Sequence, residues 1–410
     1  MKDFVLPRRT LFQLRITLGC LTLMLAEPML TGSILTEAML WSQEAASEAT
    51  SGRIAEALQP FVDREELAGA VMLVATPDTV LLAEPVGFAD RSQGEAMKLD
   101  SLFWIASQSK PMTAAALMML VDEGKVNLDD PVEKFLPEFH DQKVVVEKDD
   151  DHVLLKRPET PITLRHLLSH TSGLPFRSAL EVPTLDRLPL EDRVRSYAMT
   201  PLESEPNTRY QYSNAGINTA ARVIEVVTGK RFETFLQERL FDPLGMSQTT
   251  FWPDRQQEQR VAKAYKPGPQ GKGLEMTPID QLQYPLSDRQ DRYPMPAGGL
   301  FSTASDVARF YQMLAQGGQL EGKRVLSESA VRQLTRKQTA EDIPNEYGLG
   351  FSTGGQRFGH GGAYSTNSYY DQKHGLIFIW LVQHAGFPGE GQRSQEVFRT
   401  QALKLFGKTE

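Results

Sequence analysis

Strand-like apolar segments lie near both ends of this 410-residue chain, and amphipathic helical segments fill most of the stretch between them. Residues 69–75 and 79–83 are apolar runs separated by Pro77-Asp78, a pattern that predicts a β-hairpin. Short runs at 348–351, 357–360, 368–370 and 376–382, separated by glycine turns, predict further strands. The two groups could bury their apolar faces in one shared sheet. The sequence therefore predicts an α+β fold, with an antiparallel sheet flanked by helices, built from both chain ends, and an inserted, mainly helical domain.

The predicted segments also suggest domain boundaries. We expect a leader over 1–46, an α/β domain formed by 47–125 and 291–410, and a mainly helical domain over 126–290. Helical spacing is found at 53–63, 113–123, 163–169, 217–228, 232–240, 307–314 and 397–405. Thr303-Ala304-Ser305-Asp306 predicts a capping box, and the charged stretch 144–155 predicts an exposed hairpin or insertion.

Composition excludes some partner classes. The chain has 52 acidic and 44 basic residues, a formal net charge of −8, and is 40% hydrophobic, as is typical of a soluble globular protein. An acidic chain without basic clusters is a poor ligand for nucleic acid or anionic membrane surfaces. We therefore expect a small-molecule substrate and no nucleic-acid partner.

The N-terminal segment resembles an export signal. Basic residues that include Arg8 and Arg9 precede an apolar run over 16–25, and Arg8-Arg9-Thr10-Leu11-Phe12 is a loose twin-arginine pattern. The run is too short to span a bilayer, so we expect no membrane span in the mature chain. The expected location is periplasmic or secreted; the alternative is a membrane anchor formed by the same segment. Cys20 is the only cysteine, so a cleaved chain would contain neither a disulfide nor a thiol nucleophile.

Ser107-Gln108-Ser109-Lys110 is a candidate catalytic motif. It directly precedes an apolar helical run, and a spacing of three residues places Ser107 and Lys110 on one helix face. An amine beside a serine hydroxyl can take its proton, and the helix N-terminus favours developing negative charge. The alternative is a helix-capping serine followed by a surface lysine.

Tyr212-Ser213-Asn214 is the second candidate motif. A tyrosine beside a lysine ammonium can have a lowered pKa and act as a base. Asn214 offers a donor and an acceptor to a substrate amide. The alternative is a loop tyrosine followed by a helix-capping asparagine.

His360-Gly361-Gly362-Ala363 is the third candidate motif, on a predicted strand. Its glycines would let a substrate approach the backbone closely. The N–H of Ala363 could form an oxyanion hole with the N–H of Ser107. The alternatives are a glycine-rich hairpin with an ordinary histidine, or the second His-x-Gly, His384-Ala385-Gly386, in the same role.

In order and context, these three motifs resemble those of the serine β-lactamase and penicillin-binding-protein superfamily. The chain is most similar to the class C β-lactamase-like branch, which includes D-aminopeptidases, DD-carboxypeptidases and family VIII-type esterases. The segments 162–175, 241–246 and 297–303 are also similar to that branch, and the resemblance covers roughly 52–408.

The resemblance implies that Ser107 is an acylated nucleophile, Lys110 its activating partner and Tyr212 a second base or proton relay. It implies that Asn214 contacts substrate, that His360, Gly361 and Gly362 line the substrate strand, and that the serine helix lies between a five-stranded type of sheet and a helical domain. No cofactor or metal is implied.

One position departs from the pattern of true class C β-lactamases, which usually carry a lysine where this chain has His360. A histidine is mostly neutral at neutral pH, so it is a weak partner for a substrate carboxylate. We therefore expect a carboxylesterase or a D-amino-acid peptide or amide hydrolase. The alternatives are a β-lactamase or DD-carboxypeptidase, and a non-catalytic binding or scaffold relative.

Two other patterns are weaker. Gly350-Phe351-Ser352-Thr353-Gly354 matches Gly-x-Ser-x-Gly, but a strand rather than a helix is predicted after Ser352. His166 and His170 have a metal-ligand spacing without an acidic third ligand, so we expect packing and capping roles for them.

Overall fold

The computed structural model describes residues 52–407. The strands are β1 Gly69–Ala75, β2 Val80–Asp90, β3 Glu95–Ala96, β4 Phe103–Trp104, β5 Val144–Lys148, β6 Val153–Lys156, β7 Ala264–Pro267, β8 Leu274–Thr277, β9 Phe301–Ser302, β10 Gln319–Leu320, β11 Lys323–Arg324, β12 Ser352–Gly354, β13 Arg357–Gly361, β14 Asn367–Asp371 and β15 Leu376–Leu381. The helices are α1 Arg53–Asp63, α2 Ser109–Asp122, α3 Leu164–Leu168, α4 Leu190–Ala198, α5 Asn214–Thr228, α6 Phe232–Leu236, α7 Arg255–Glu258, α8 Ala304–Ala315, α9 Glu328–Thr335 and α10 Ser394–Phe406. Helix α6 continues through a π-helical turn at Gln237–Phe241 and a last turn at Asp242–Leu244.

The predicted shared sheet is confirmed. Seven antiparallel strands lie in the order β12-β13-β14-β15-β1-β2-β3, so the two chain ends meet where β1 pairs with β15. The resemblance implies a five-stranded type of sheet. The observed sheet has two further strands, β12 and β3, which are short and lie at its edges.

Both faces of the central strands are buried, which explains why β1 and β15 are continuously apolar. Alternate residues belong to different cores: Val71 and Ile379 face one, while Met72 and Trp380 face the other beside α1 and α10. Strands buried on both faces have no polar alternation. Helix α2 is likewise buried along Ser109–Leu120, because it lies inside the first core.

The exposed hairpin predicted over 144–155 is present as β5–β6, and most of its residues are exposed.

Two local predictions were wrong, the capping box at Thr303 and a strand over 348–351. The Thr303 side chain does accept from Asp306 N at 3.3 Å, but the Asp306 carboxylate accepts from Thr249 Oγ1 rather than closing the capping box.

The segment 348–351 is not a strand. Gly350 has φ +74° and lies against α2, where a Cβ would come within 2.8 Å of the Lys110 carbonyl oxygen. This close approach makes 348–351 a loop that packs on the serine helix, and the strand begins only at Ser352. No helix among residues 52–407 is long and apolar enough to cross a membrane.

Candidate active site

Ser107 lies in a 3-10 turn, Ala106–Gln108, that leads directly into α2. The turn follows β4, and Ala106 has φ +46°, an uncommon left-handed conformation for alanine that costs roughly 1–2 kcal/mol. Backbone strain of this kind is concentrated at functional sites, where surrounding structure holds it. The half-buried Ser107 side chain is thereby placed at the start of a buried helix.

Lys110 meets the serine as the Ser-x-x-Lys spacing predicts. Its Nζ lies 3.1 Å from Ser107 Oγ, 2.7 Å from Asn214 Oδ1 and 2.8 Å from the Ala297 carbonyl oxygen. The lysine is fully buried with no carboxylate among these contacts, and burial holds its pKa well below the usual value.

These contacts suit a neutral amine. A neutral primary amine has two N–H donors and one lone pair. The two N–H groups can bond the oxygens of Asn214 and Ala297, which leaves the lone pair for the Ser107 hydroxyl. The arrangement is that of an amine ready to take the proton of Ser107.

Tyr212 also reaches the serine, through a hydrogen bond between the phenol and Ser107. Lys110 Nζ lies 4.6 Å from the centroid of the Tyr212 ring, so the lysine faces the ring. The lowered tyrosine pKa expected from the sequence is wrong: burial raises the pKa of Tyr212. The ammonium that would lower the tyrosine pKa is disfavoured, because burial moves the pKa of Lys110 well below its usual value. Tyr212 is therefore a protonated phenol at neutral pH.

Asn214 is the first residue of α5, and Ser213 caps this helix by accepting from Gly216 N at 3.0 Å. The side-chain oxygen of Asn214 is occupied by Lys110. A substrate amide would therefore meet only the Asn214 side-chain NH₂, which narrows the substrate contact expected from the sequence.

His360 is near the site, but its ring does not face the serine cavity. Its Nε2 lies 2.9 Å from the Tyr347 hydroxyl and its Nδ1 lies 2.6 Å from the Gly361 carbonyl oxygen. Burial lowers the pKa of His360 to about 3, so the ring is neutral. The backbone of His360 lies on β13, and its imidazole contacts Tyr347. The expected substrate contact of His360 stays a prediction.

The glycines after His360 bring the strand to the serine turn. A Cβ on Gly362 would come within 2.6 Å of the Ile105 carbonyl oxygen, so only glycine fits there without movement. Gly361, Gly362 and Ala363 line the cavity at Ser107. Ala363 N is not paired with a backbone carbonyl anywhere in 52–407, so it is free of backbone partners beside the cavity.

The cavity at Ser107 has a volume of about 330 Å³. Its largest wall residues are apolar or aromatic: Trp104, Phe176, Leu185, Tyr212 and Met295. Asn214 and Gln281 supply polar groups, and none of the described lining residues carries a charged side chain.

Several of these groups were not predicted from the sequence. Tyr347 bridges His360 and His170, whose Nε2 lies 3.2 Å from the same hydroxyl. Nothing in the sequence marks Tyr347. Ala297 belongs to a segment that carried the family resemblance, 297–303, but its role as the carbonyl partner of Lys110 was not foreseen.

The histidine alternatives have structural roles. His384 is buried and its Nε2 accepts from Ala68 N at 3.0 Å, away from the lining of the Ser107 cavity. His166 completes a reciprocal capping box with Thr163 at α3, and His170 Nδ1 accepts from Ser213 N at 3.2 Å. No group of potential metal ligands is found within the described range. The packing and capping interpretation of the two histidines is confirmed.

The Gly-x-Ser-x-Gly pattern likewise marks no nucleophile. Ser352–Gly354 is the edge strand β12, and Ser352 is exposed on it. The following element is β13 rather than a helix. The rejection of an α/β-hydrolase elbow is confirmed.

Residues 54–401 match the protein family described as Beta-lactamase. The chain belongs to this family. It is 30% identical over 367 residues to an uncharacterised protein of Mycobacterium tuberculosis, covering 80% of this chain and 88% of that protein. It is 30% identical over 295 residues to Esterase EstB of Burkholderia gladioli, covering 66% and 70%.

The fold is similar to that of a solved structure described as EstCE1, a hydrolase with promiscuous acyltransferase activity. The TM-score is 0.71 at 25% identity, covering 87% of this chain and 99% of that one. The predicted superfamily and α+β fold are confirmed, and the chain is a serine hydrolase of the β-lactamase-related type.

Proposed function

We propose that the protein is a carboxylesterase that cleaves neutral esters with an apolar acyl or alcohol group through an acyl-Ser107 intermediate. The uncharged, largely apolar lining of the cavity at Ser107 carries this proposal. A buried charge without a partner is costly, so a cavity without charged side chains favours a neutral substrate.

In the first step, Ser107 Oγ attacks the ester carbonyl carbon while its proton moves to Lys110 Nζ, 3.1 Å away. The carbonyl oxygen becomes an oxyanion that accepts from the N–H groups of Ser107 and Ala363. When the C–O bond breaks, the alcohol leaves with a proton that Tyr212 passes on from Lys110. The phenol suits this relay because its raised pKa keeps it protonated.

In the second step, water attacks the acyl-serine carbonyl carbon and gives its proton to the same amine. The ester bond to Ser107 then breaks, the serine oxygen regains a proton, and the carboxylic acid is released. The chain returns to its starting protonation state, and no step needs a cofactor or metal.

The loop between two residues that line the cavity also supports an apolar substrate. Phe176 and Leu185 line the cavity, and the loop between them exposes 64% of Leu180 and 59% of Val182. Exposed apolar side chains beside a pocket are common at binding sites.

The described residues that line the cavity carry no charged side chain, and this also ranks the alternative substrate classes. A penicillin or a C-terminal peptide presents a carboxylate, and a D-amino-acid amide presents an ammonium group. Neither finds an opposite charge on the cavity wall, and the neutral His360 ring faces Tyr347. We therefore rank β-lactam, DD-peptide and D-amino-acid amide hydrolysis below ester hydrolysis.

The substrate proposal is tested with the purified protein and a panel of p-nitrophenyl butyrate, nitrocefin, a D-Ala-D-Ala peptide and D-alanine p-nitroanilide. We expect the butyrate ester to have the highest kcat/KM. A fluorophosphonate should label Ser107, and Ser107→Ala should abolish both labelling and turnover. A higher kcat/KM on nitrocefin or on either amide would refute the ester proposal. Labelling without any turnover would favour a binding relative.

We also propose that the protein is exported. The support is the charged and apolar pattern at the N-terminus, which lies outside the described residues. Expression of the full chain followed by cell fractionation tests this. Retention of the uncleaved chain in the cytoplasm would contradict it.

A further inference from the structure

A chain of buried polar side chains leads from the loop between Phe176 and Leu185, two residues that line the cavity, to a backbone partner of the Lys110 amine. Its members are Glu181, Tyr197 and Asn218, which expose 1%, 0% and 0% of their surface. The Tyr197 hydroxyl donates to Glu181 Oε1 at 2.8 Å, and Asn218 Nδ2 donates to the Tyr197 hydroxyl at 3.0 Å. Asn218 Oδ1 then accepts from Ala297 N at 3.0 Å.

Ala297 is the residue whose carbonyl oxygen accepts from Lys110 Nζ at 2.8 Å. The chain therefore ends on the peptide that takes one of the two N–H groups of the neutral amine. A shift of this peptide would turn the amine and move its lone pair away from Ser107. The orientation of the base thus depends on how firmly the segment around Ala297 is held.

Other buried groups hold the same segment. Arg193 donates to the Pro294 carbonyl oxygen at 3.0 Å, and its Nε lies 3.4 Å from Glu181 Oε1. Thr113, one turn after Lys110 on α2, donates to the Pro296 carbonyl oxygen at 2.8 Å. The segment 294–297 is therefore fixed by side chains from α2, α4 and α5 together with the loop that carries Glu181.

The positions of these side chains follow from local sequence. Asn218 is four residues after Asn214 on α5, so both asparagines lie on one helix face. One contacts Lys110 directly and the other contacts it through Ala297. Buried polar groups are costly unless every partner is in place, and a satisfied network is rigid.

We propose that Glu181, Tyr197 and Asn218 act as one set of positioning residues that fixes the Ala297 carbonyl and so aims the Lys110 lone pair at Ser107. This inference rests on the role given to Lys110 in the proposed function. It adds that the base is aimed from a distance by side chains that touch neither the substrate nor Ser107. Glu181 lies between Phe176 and Leu185, so the same network also anchors the loop that walls the cavity.

The test uses Tyr197→Phe, Asn218→Ala and the double variant, each in the full chain. The readouts are the second-order rate of fluorophosphonate labelling of Ser107, kcat and KM for p-nitrophenyl butyrate, and the unfolding temperature. Tyr265→Phe is the matched control, because Tyr265 is also a buried tyrosine and its hydroxyl accepts from a backbone amide, Arg91 N, at 2.8 Å.

We expect each single variant to lower the labelling rate and kcat about 10-fold with KM within twofold of the native value. The double variant should lose no more than the larger single variant, because groups that act as a unit have non-additive effects. Tyr265→Phe should stay within twofold of the native rate. If Tyr197→Phe does not fold, Asn218→Ala carries the same prediction.

Three results would overturn the proposal: native labelling rates in a folded Tyr197→Phe or Asn218→Ala variant, losses that multiply in the double variant, or equal losses in Tyr265→Phe. A lower unfolding temperature with an unchanged labelling rate would show a purely structural role. Labelling also separates this inference from the ester proposal. If the native chain is labelled but hydrolyses no ester, the substrate assignment fails while the labelling rates still decide the role of the network.

Discussion

Replacement of Lys110 by methionine tests the central chemical claim, that a neutral buried amine is the base for Ser107. Methionine keeps an unbranched side chain of similar length, so the space around Lys110 stays filled. The change removes the acceptor of the Ser107 proton, which lies 3.1 Å from the hydroxyl. Loss of a positioned general base slows a reaction about 10²–10⁴-fold, equivalent to about 3–5 kcal/mol in the activation barrier.

The stability of the Lys110→Met variant should change little, because two effects of the substitution oppose each other. The variant leaves the oxygens of Asn214 and Ala297 without their donor, at about 1–3 kcal/mol for each unpaired group. Against this, it removes an amine whose burial is itself unfavourable. We expect the free energy of unfolding to change by less than about 2 kcal/mol.

The assay measures kcat/KM with p-nitrophenyl butyrate and the fluorophosphonate labelling rate, alongside chemical denaturation. Lys98→Met is the control, because the Lys98 side chain is 63% exposed and pairs with Glu95 on the surface. We expect the control to retain native rates. Turnover and labelling of a folded Lys110→Met protein within twofold of native would refute the assignment of Lys110 as the base.

Three further predictions concern other parts of the molecule. Tyr212→Phe should lower kcat about 10²-fold and leave the unfolding temperature nearly unchanged, because it removes the proposed proton relay; an undiminished kcat in stopped-flow assays would exclude that role. Gly362→Ala should reduce kcat/KM at least 10-fold, since its Cβ would lie 2.6 Å from the Ile105 carbonyl oxygen. Gly94→Ala is the control for glycine loss away from the site: its φ of +65° strains an alanine, but no atom lies within 4 Å of the added Cβ. Equal kcat/KM values for the two variants would contradict the close-approach argument. Burial lowers the pKa of His384 to about 4 in the folded chain. Between pH 6.5 and 4 the unfolded chain therefore binds a proton at this residue that the folded chain does not bind. As pH falls through that window, His384 should remove roughly 3 kcal/mol of stability. Denaturation curves should show a shallower acid loss for His384→Asn than for the native chain, and parallel curves would count against this linkage.

The activity should also depend on pH through Lys110. The amine is active when neutral, so activity should fall as pH drops toward its lowered pKa. Tyr212 has a raised pKa and stays a proton donor above neutrality. The pH profile of kcat/KM should therefore show its acid limb below the pKa of an ordinary lysine, and the limb should disappear in Lys110→Met.

Much of the fold could be predicted because it follows from local patterns. The helix α1 coincides with its predicted bounds, 53–63, because its apolar spacing has no competing interpretation. The apolar runs over 69–75 and 376–382 predicted strands, and β1 and β15 lie there; their burial on both faces is seen only in the structure. The failure at 348–351 has a tertiary cause, since Gly350 serves the contact with α2 rather than a strand.

The sequence by itself determined the order and chemistry of the three motifs, because a spacing of three residues brings Ser107 and Lys110 together once the 3-10 turn runs into α2. It also determined that strands from both chain ends share one sheet. Only the tertiary structure decided which groups are charged. Lys110 and Tyr212 lie 102 residues apart in the chain, and the shifts of their pKa values come from burial, which arises only when distant segments pack together.

The same reason explains the remaining differences at the site. The contact between Tyr347 and His360 and the chain from Glu181 to Ala297 join segments whose spacing carries no sequence pattern. Hydrogen bonds between distant segments arise only when packing brings the donors and acceptors within about 3 Å. Local sequence sets which atoms can react, whereas packing sets their pKa values, their partners and the uncharged cavity that receives the substrate.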